Sequence, residues 1–268
     1  METDPRNTLL EGAISAEAAL TGGRREVFRV WIDRERDDAV TQRLKKIARR
    51  ESVRWTPASR AALDAHAEGS THGGVITEVS DRLWTPLDEA LQATRESGGF
   101  LAMLDGVEDP FNFGQSVRSL YAAGVGGVVV RPRNWTAAAS VVARSSAGAT
   151  ERVGISVAGG PDEARDAARD AGLRVVAAAG VPGAVAPHEA DLTGPLLLLF
   201  GGERRGLRKG FLATCDAVVA VPYARAFPAA LGTVAAASVV AFEAARQRAM
   251  GAAAPDAPPA PAAEPGGA

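Results

Sequence analysis

Apolar positions along this chain follow two rhythms. Short unbroken runs such as Phe100–Leu104 (FLAML) and Leu196–Phe200 (LLLLF) alternate with stretches whose apolar residues recur every third or fourth position. The first pattern predicts strands buried on both faces, and the second predicts amphipathic helices. From residue 100 onward the predicted strands are Phe100–Leu104, Gly127–Arg131, Gly154–Val157, Leu173–Ala177, Leu196–Phe200 and Ala217–Val221. Between them fall predicted helices at Gly114–Ala123, Thr136–Ser145, Pro161–Ala171 and Thr233–Ala249. This alternation defines an α/β fold, a mostly parallel sheet with helices on both faces, over residues 99–250.

A smaller α/β unit precedes it over residues 13–80. Ile14–Leu20 reads as a short helix, Val27–Ile32 as a strand, and Val40–Arg50 as a helix with Leu44, Ile47 and Ala48 on one face. Val53–Trp55 and Val75–Val79 read as strands and Ser59–His66 as a helix. Residues 1–12 read as a leader. Residues 81–98, where Pro86 and Gly98-Gly99 flank a short amphipathic helix, read as a linker. Residues 251–268 are rich in proline with little to bury, the composition of a disordered tail.

Composition narrows the partners. The 268 residues are 46% apolar and 23% charged, ordinary for a soluble globular protein. A formal net charge of −2 argues against a surface that is basic throughout, but not against a local patch. Such a patch exists: Arg24 to Arg60 holds 12 Arg or Lys against 6 Asp or Glu. On the Val40–Arg50 helix, Arg43, Lys46 and Arg50 share one face. That face is equally compatible with simple solvation and with contacts to RNA phosphates. Cys215 is the only cysteine, so no intrachain disulfide forms, and in FLATCDAVV it fits a small core residue better than a nucleophile. Three histidines give no metal-ligand cluster. No signal-peptide pattern opens the chain and no apolar run approaches a membrane span, so the expected location is the cytoplasm.

Candidate chemistry concentrates in three stretches. Leu104–Arg118 (LDGVEDPFNFGQSVR) passes from a strand through a turn into a helix, with Asn112 as the expected N-cap. Gly114 removes a Cβ where something must come close. Arg118, about one and two-thirds turns beyond Asn112, carries a planar fork suited to carboxylate or phosphate. Leu196–Leu207 (LLLLFGGERRGL) runs a buried strand into a glycine turn bearing Glu203, at the edge where open α/β sheets bind ligands. It lacks the dinucleotide-binding fingerprint. Val219–Glu243 carries a strand through an irregular segment into an Ala-rich helix, with Thr233 as its expected N-cap. Each alone is also compatible with an ordinary turn.

In this order and spacing, DGVEDPFNFGQSVRSLYAAGV, LLLLFGGERRGL and VPYARAF…ALGTVAAASVVAFE resemble the SpoU (TrmH) family of SPOUT-class RNA methyltransferases, over about residues 99–247. Residues 12–80 resemble the ribosomal-protein-like RNA-binding domain often placed ahead of it, although Gly73 stands where HGGV usually has Gln. The resemblance implies a C-terminal trefoil knot, S-adenosylmethionine bound within it, a homodimer, and methylation of a ribose 2′-hydroxyl in ribosomal or transfer RNA. It implies Asn112, Arg118 and Glu203 as catalytic residues. It implies Phe200, Gly201, Gly202, Val221, Leu231 and Thr233 as cofactor contacts, and Arg43, Lys46 and Arg50 as RNA contacts. No metal is implied.

The third stretch departs from the family. Where Ser-Leu-Asn-Val-Ser is usual, this chain has Ala230-Leu231-Gly232-Thr233-Val234. Three alternatives follow: a methyltransferase with a rewired third loop, one with another acceptor, or a knotted RNA-binding protein that has lost catalysis. Retention of Asn112, Arg118 and Glu203 together favours the methyltransferase.

Overall fold

The computed structural model describes residues 1, 3–4, 6–68, 72–132, 138–202 and 205–252. The amino-terminal unit runs β1 (Thr8–Glu11), α1 (Ala13–Gly22), β2 (Val27–Asp33), α2 (Ala39–Arg50), β3 (Arg54–Ala58), α3 (Arg60–Asp64) and β4 (Val75–Val79). Its sheet has the order β1-β4-β2-β3, with β2 and β3 parallel and the other pairs antiparallel. One element corrects the expectation of a leader over residues 1–12: Thr8–Glu11 pairs with β4, Thr8 opposite Val79, and Leu10 is fully buried. Four residues are too few to display a period, so their burial is decided by the edge of β4. Helix α2 starts as its sequence dictates. The Asp38 carboxylate accepts from the Thr41 N–H at 2.9 Å and the Thr41 hydroxyl accepts from the Asp38 N–H at 3.2 Å, a reciprocal capping box.

The second unit runs α4 (Leu87–Ser97), β5 (Phe100–Asp105), α5 (Pro110–Ala122), β6 (Gly127–Val130), α6 (Ala139–Ser145) and β7 (Gly154–Val157). It continues through α7 (Pro161–Asp170), β8 (Arg174–Ala178), β9 (Leu196–Gly201), α8 (Lys209–Leu212), β10 (Ala217–Val219) and α9 (Thr233–Ala252). The six strands are all parallel, in the order β10-β8-β9-β5-β6-β7. Period-two alternation divides them between two cores. Phe100, Ala102 and Leu104 face α5, α6 and α9, through Val117, Val142 and Val240 among others. Leu101 and Met103 face the opposite layer, with Leu91, Ala164 and Phe211 from α4, α7 and α8. That is why each strand reads as an unbroken apolar run.

Two further expectations change. The stretch 81–98 is not a free linker: α4 buries Leu91 and Thr94 against the large sheet, because its apolar stripe finds that surface. Helix α5 begins at Pro110, not near Gly114. Asp109 is its N-cap, accepting from the Asn112 N–H at 2.7 Å, and Pro110 has no N–H to leave unpaired. Asn112 is therefore in the first turn, not the cap. At Gly114 a Cβ would lie 2.8 Å from the Val142 carbonyl oxygen, so the glycine lets α5 press on α6.

The two units share a built junction. Leu10, Ala19 and Val79 of the first pack with Ala139 and Ala143 of the second. The connecting chain is tied to both, Leu83 N–H donating to Arg24 O and Thr85 N–H to Ile155 O, each at 2.9 Å. Beside it Glu151, 1% exposed, meets Arg25 at 2.9 Å and Arg82 at 2.5 Å, both largely buried. Arg144 of α6 meets the buried Glu11 of β1 at 2.7 Å. Burial pulls the Arg82 pKa down, with Glu151 opposing the shift.

Candidate active site

Backbone contacts bring the three sequence stretches together at the carboxyl edge of the large sheet. The Gly202 N–H donates to the Asp105 carbonyl at 2.6 Å, joining the turn after β9 to the end of β5. A Cβ on Gly202 would fall 2.1 Å from the Gly106 carbonyl oxygen, so this approach requires glycine. The Thr233 hydroxyl donates to the Gly201 carbonyl at 3.0 Å, joining the start of α9 to the same turn. Thr233 is thus the first residue of its helix and not the cap. Gly232 precedes it, and its carbonyl accepts from the Ala236 N–H.

The turn after β9 and the segment from β10 into α9, with the end of β8, enclose a cavity of about 870 Å³, within the range of small-molecule sites. Phe200, Gly201, Gly202, Val221, Leu231 and Thr233, the six expected cofactor contacts, all line it. Its walls are apolar side chains and bare glycine backbone, and none of its described lining residues carries a charge. Tyr223, not singled out from the sequence, closes one side. Its hydroxyl accepts from the Leu231 N–H at 2.8 Å and donates to the Ala229 carbonyl at 3.3 Å. A flat, amphipathic ligand of nucleoside size fits such a site, held by apolar walls and backbone groups. These residues fit the adenosyl part of S-adenosylmethionine.

The expected catalytic residues are distributed differently. Asn112 is partly buried in the first turn of α5. Arg118 is exposed, about 12 Å along the helix axis from Pro110, and has no hydrogen-bond or ion-pair partner among the described residues. It is thus further from the sheet edge than a helix starting at Gly114 would put it. Glu203 lies outside the described residues. A buried carboxylate that the sequence did not flag, Asp105 at the end of β5, is held by the Arg131 guanidinium after β6, with Nη2 to Oδ2 at 3.1 Å. The pair raises the Arg131 pKa through that hydrogen bond.

In the amino-terminal unit, Arg43, Lys46 and Arg50 are exposed on α2 as expected. Arg43 pairs with Glu17 at 2.5 Å and Arg50 with Glu51 at 2.8 Å, while Lys46 has no ion-pair partner among the described residues. At this site no group of metal-ligating side chains occurs among the described residues. No helix of the described residues is long and apolar enough to cross a membrane.

Cys215 is half-buried, its thiol donating to the Phe211 carbonyl at 3.6 Å, and burial pushes its pKa up to about 11. At pH 8 only about one thiol in 10³ is ionised, against roughly a quarter in an unfolded chain. Alkylation by iodoacetamide is expected to be about 100-fold slower in native than in denatured protein, read by intact-mass spectrometry. Equal rates would contradict this burial.

Comparison with known proteins gives two family matches. Residues 99–242 match the model described as the SpoU rRNA Methylase family, and residues 9–82 the one described as RNA 2′-O ribose methyltransferase substrate binding. The 23S rRNA (guanosine-2′-O-)-methyltransferase RlmB of Pseudomonas syringae pv. tomato is 32% identical over 240 residues, 88% of this chain and 94% of that protein. The SpoU methyltransferase AviRb from Streptomyces viridochromogenes superposes with a TM-score of 0.74 at 24% identity, covering 92% of this chain and 91% of that one. An AdoMet-bound rRNA methyltransferase from Sinorhizobium meliloti superposes with a TM-score of 0.73 at 21% identity, covering 90% and 87%.

Proposed function

The chain belongs to the SpoU rRNA methylase family, and from that premise we propose that it methylates a ribose 2′-hydroxyl of ribosomal RNA using S-adenosylmethionine. One observation carries the assignment of the site: the glycine turn after β9, itself bonded to the end of β5, and the segment from β10 into α9 line one cavity of nucleoside dimensions whose described lining carries no charge. S-adenosylmethionine supplies an electrophilic methyl group when bound there. Phe200, Val221 and Leu231 would exclude water from the cofactor, while Gly201, Gly202 and Thr233 offer backbone to its polar edges.

A ribose hydroxyl has a pKa far above neutrality, so its proton must leave as the new bond forms. Arg118 would hold the adjoining phosphate and stabilise the developing oxyanion. Glu203 would orient Arg118, and Asn112 would shape the acceptor side. The exposed face of α2 with Arg43, Lys46 and Arg50 would supply part of the RNA-phosphate contact.

A homodimer is part of the same proposal. Helices α5 and α9 pack together, and their outer surfaces expose Phe111 and Tyr121 on one, Val239 and Phe242 on the other. Ala235, Val239, Phe242 and Arg246 fall on one face of α9 at helical spacing. A second copy seated there would bring Arg118, exposed on α5, into the interface. Sedimentation velocity is expected to give twice the monomer mass, and a monomer at micromolar concentration would argue against it. The trefoil knot is likewise proposed. It is supported by the attachment of the segment after β10 at both ends, Ala220 N–H to Val185 O and Thr233 to Gly201 O. The expected location is the cytoplasm, where ribosomal RNA is modified.

The test is calorimetric titration with S-adenosylmethionine and S-adenosylhomocysteine, combined with methyl-label transfer to undermodified ribosomal RNA. The expected result is binding of both, with label recovered as 2′-O-methylnucleoside after nuclease digestion. The missing side-chain donors at Ala230 and Gly232 favour one second reading, an RNA-binding protein without catalysis. RNA binding with no uptake of either ligand would select it.

A further inference from the structure

The loop between β10 and α9 displays two aromatic rings. Tyr223 is 41% exposed and Phe227 61%. Both line the cavity mouth, with ring centroids 6.2 Å apart and planes at 51°. The rings are therefore tilted and not stacked on each other, and both residues are exposed. Tyr223 is held in orientation by its two hydroxyl hydrogen bonds to the same loop. Between them in sequence, Arg225 is exposed and has no hydrogen-bond or ion-pair partner among the described residues.

We propose that Tyr223 and Phe227 form a stacking platform for an unpaired RNA base at the cavity mouth, with Arg225 contacting a phosphate of that strand. The proposal rests on the RNA methyltransferase reading and adds how this chain's altered loop holds its substrate. Unstacked bases lie against aromatic faces, and a neighbouring guanidinium tracks the backbone. RNA carries a phosphate at every nucleotide, so a strand with one base on the rings has a phosphate within reach of the exposed Arg225 guanidinium. Stacking also needs no side-chain hydrogen bonds, which suits a loop that continues as Ala229-Ala230-Leu231-Gly232.

The experiment uses the full chain with Phe227→Ala, Phe227→Leu, Phe227→Tyr and Arg225→Ala. For each, kcat and KM for undermodified 23S ribosomal RNA are measured by methyl-label transfer, and the Kd of S-adenosylhomocysteine by calorimetry. Phe227→Ala and Phe227→Leu are expected to raise the RNA KM roughly 5- to 150-fold, the effect of losing one base–aromatic stack. Phe227→Tyr should stay within about 3-fold of wild type, because the ring persists. Arg225→Ala should raise KM and lessen the salt dependence of RNA binding by about one charge. The Kd of S-adenosylhomocysteine should stay within about 2-fold throughout, since the rings serve RNA.

An unchanged KM in Phe227→Ala, or Phe227→Leu behaving as wild type, overturns the platform. A loss of S-adenosylhomocysteine affinity matching the rise in KM overturns it as well, assigning the rings to adenine. If wild type binds S-adenosylhomocysteine and labels RNA while Phe227→Ala is indistinguishable from it, only the platform fails. If wild type does neither, the methyltransferase reading fails and the platform falls with it.

Discussion

Arg118→Ala is expected to abolish methyl transfer, with kcat falling by at least about 10²–10³-fold, the cost of one preorganised electrostatic group. S-adenosylhomocysteine should bind to the variant with nearly unchanged Kd. The two effects separate because Arg118 is on the exposed face of α5, outside the cavity lining. No hydrogen bond or ion pair of Arg118 exists among the described residues, so its removal leaves no buried group unsatisfied and stability should change little. Arg118→Lys should recover only part of the rate, because an ammonium lacks the bidentate fork. Stopped activity with intact cofactor affinity is the signature of an acceptor-side residue. Lost cofactor affinity in a folded variant would instead place Arg118 in the structure of the cavity.

Glu151→Gln is expected to cost about 3–5 kcal/mol of stability, the usual penalty for removing one member of a buried ion pair. Glu151 is 1% exposed and serves two guanidinium groups, Arg25 from the amino-terminal unit and Arg82 from the connecting chain. One further nitrogen of each group is already engaged, Arg82 Nη1 with the Thr150 carbonyl at 2.6 Å and Arg25 Nη1 with the Ser80 carbonyl at 2.8 Å. A neutral amide would leave two desolvated cations without a counter-charge. At roughly 2–4 °C per kcal/mol for a chain of this size, melting should fall by about 6–20 °C in differential scanning calorimetry. Replacing Glu151, Arg25 and Arg82 together by apolar residues should restore most of the loss, since the triad's desolvation cost disappears with it. A Gln variant melting within about 2–3 °C of wild type, a loss of only about 1 kcal/mol, would mean that water reaches the junction.

The junction also marks the boundary between local and tertiary information. Strands β5 and β9 were legible because a strand buried on both faces must be apolar at every position, a condition that FLAML and LLLLF meet without reference to any other residue. Helix α2 was legible from its spacing, with Leu44, Ile47 and Ala48 buried. Strand β1 and helix α8 were not, because four residues span too little of either period to register. The start of α5 was misplaced although its signal, Asp109 before Pro110, was present in the sequence.

The sequence by itself determined the alternation of strands and helices, the glycine turn after β9 and the three candidate stretches. These depend on side-chain period and on backbone freedom at single residues, which are local properties. Only the tertiary structure decided that the strands adopt the order β10-β8-β9-β5-β6-β7 and that six cofactor-contact candidates share one cavity. It alone joined Asp105 to Arg131, 26 positions apart, and Arg25 to Glu151, 126 apart. Such contacts are set by how helices and sheet edges find complementary surfaces, and no periodicity within one element encodes which distant partner will be there.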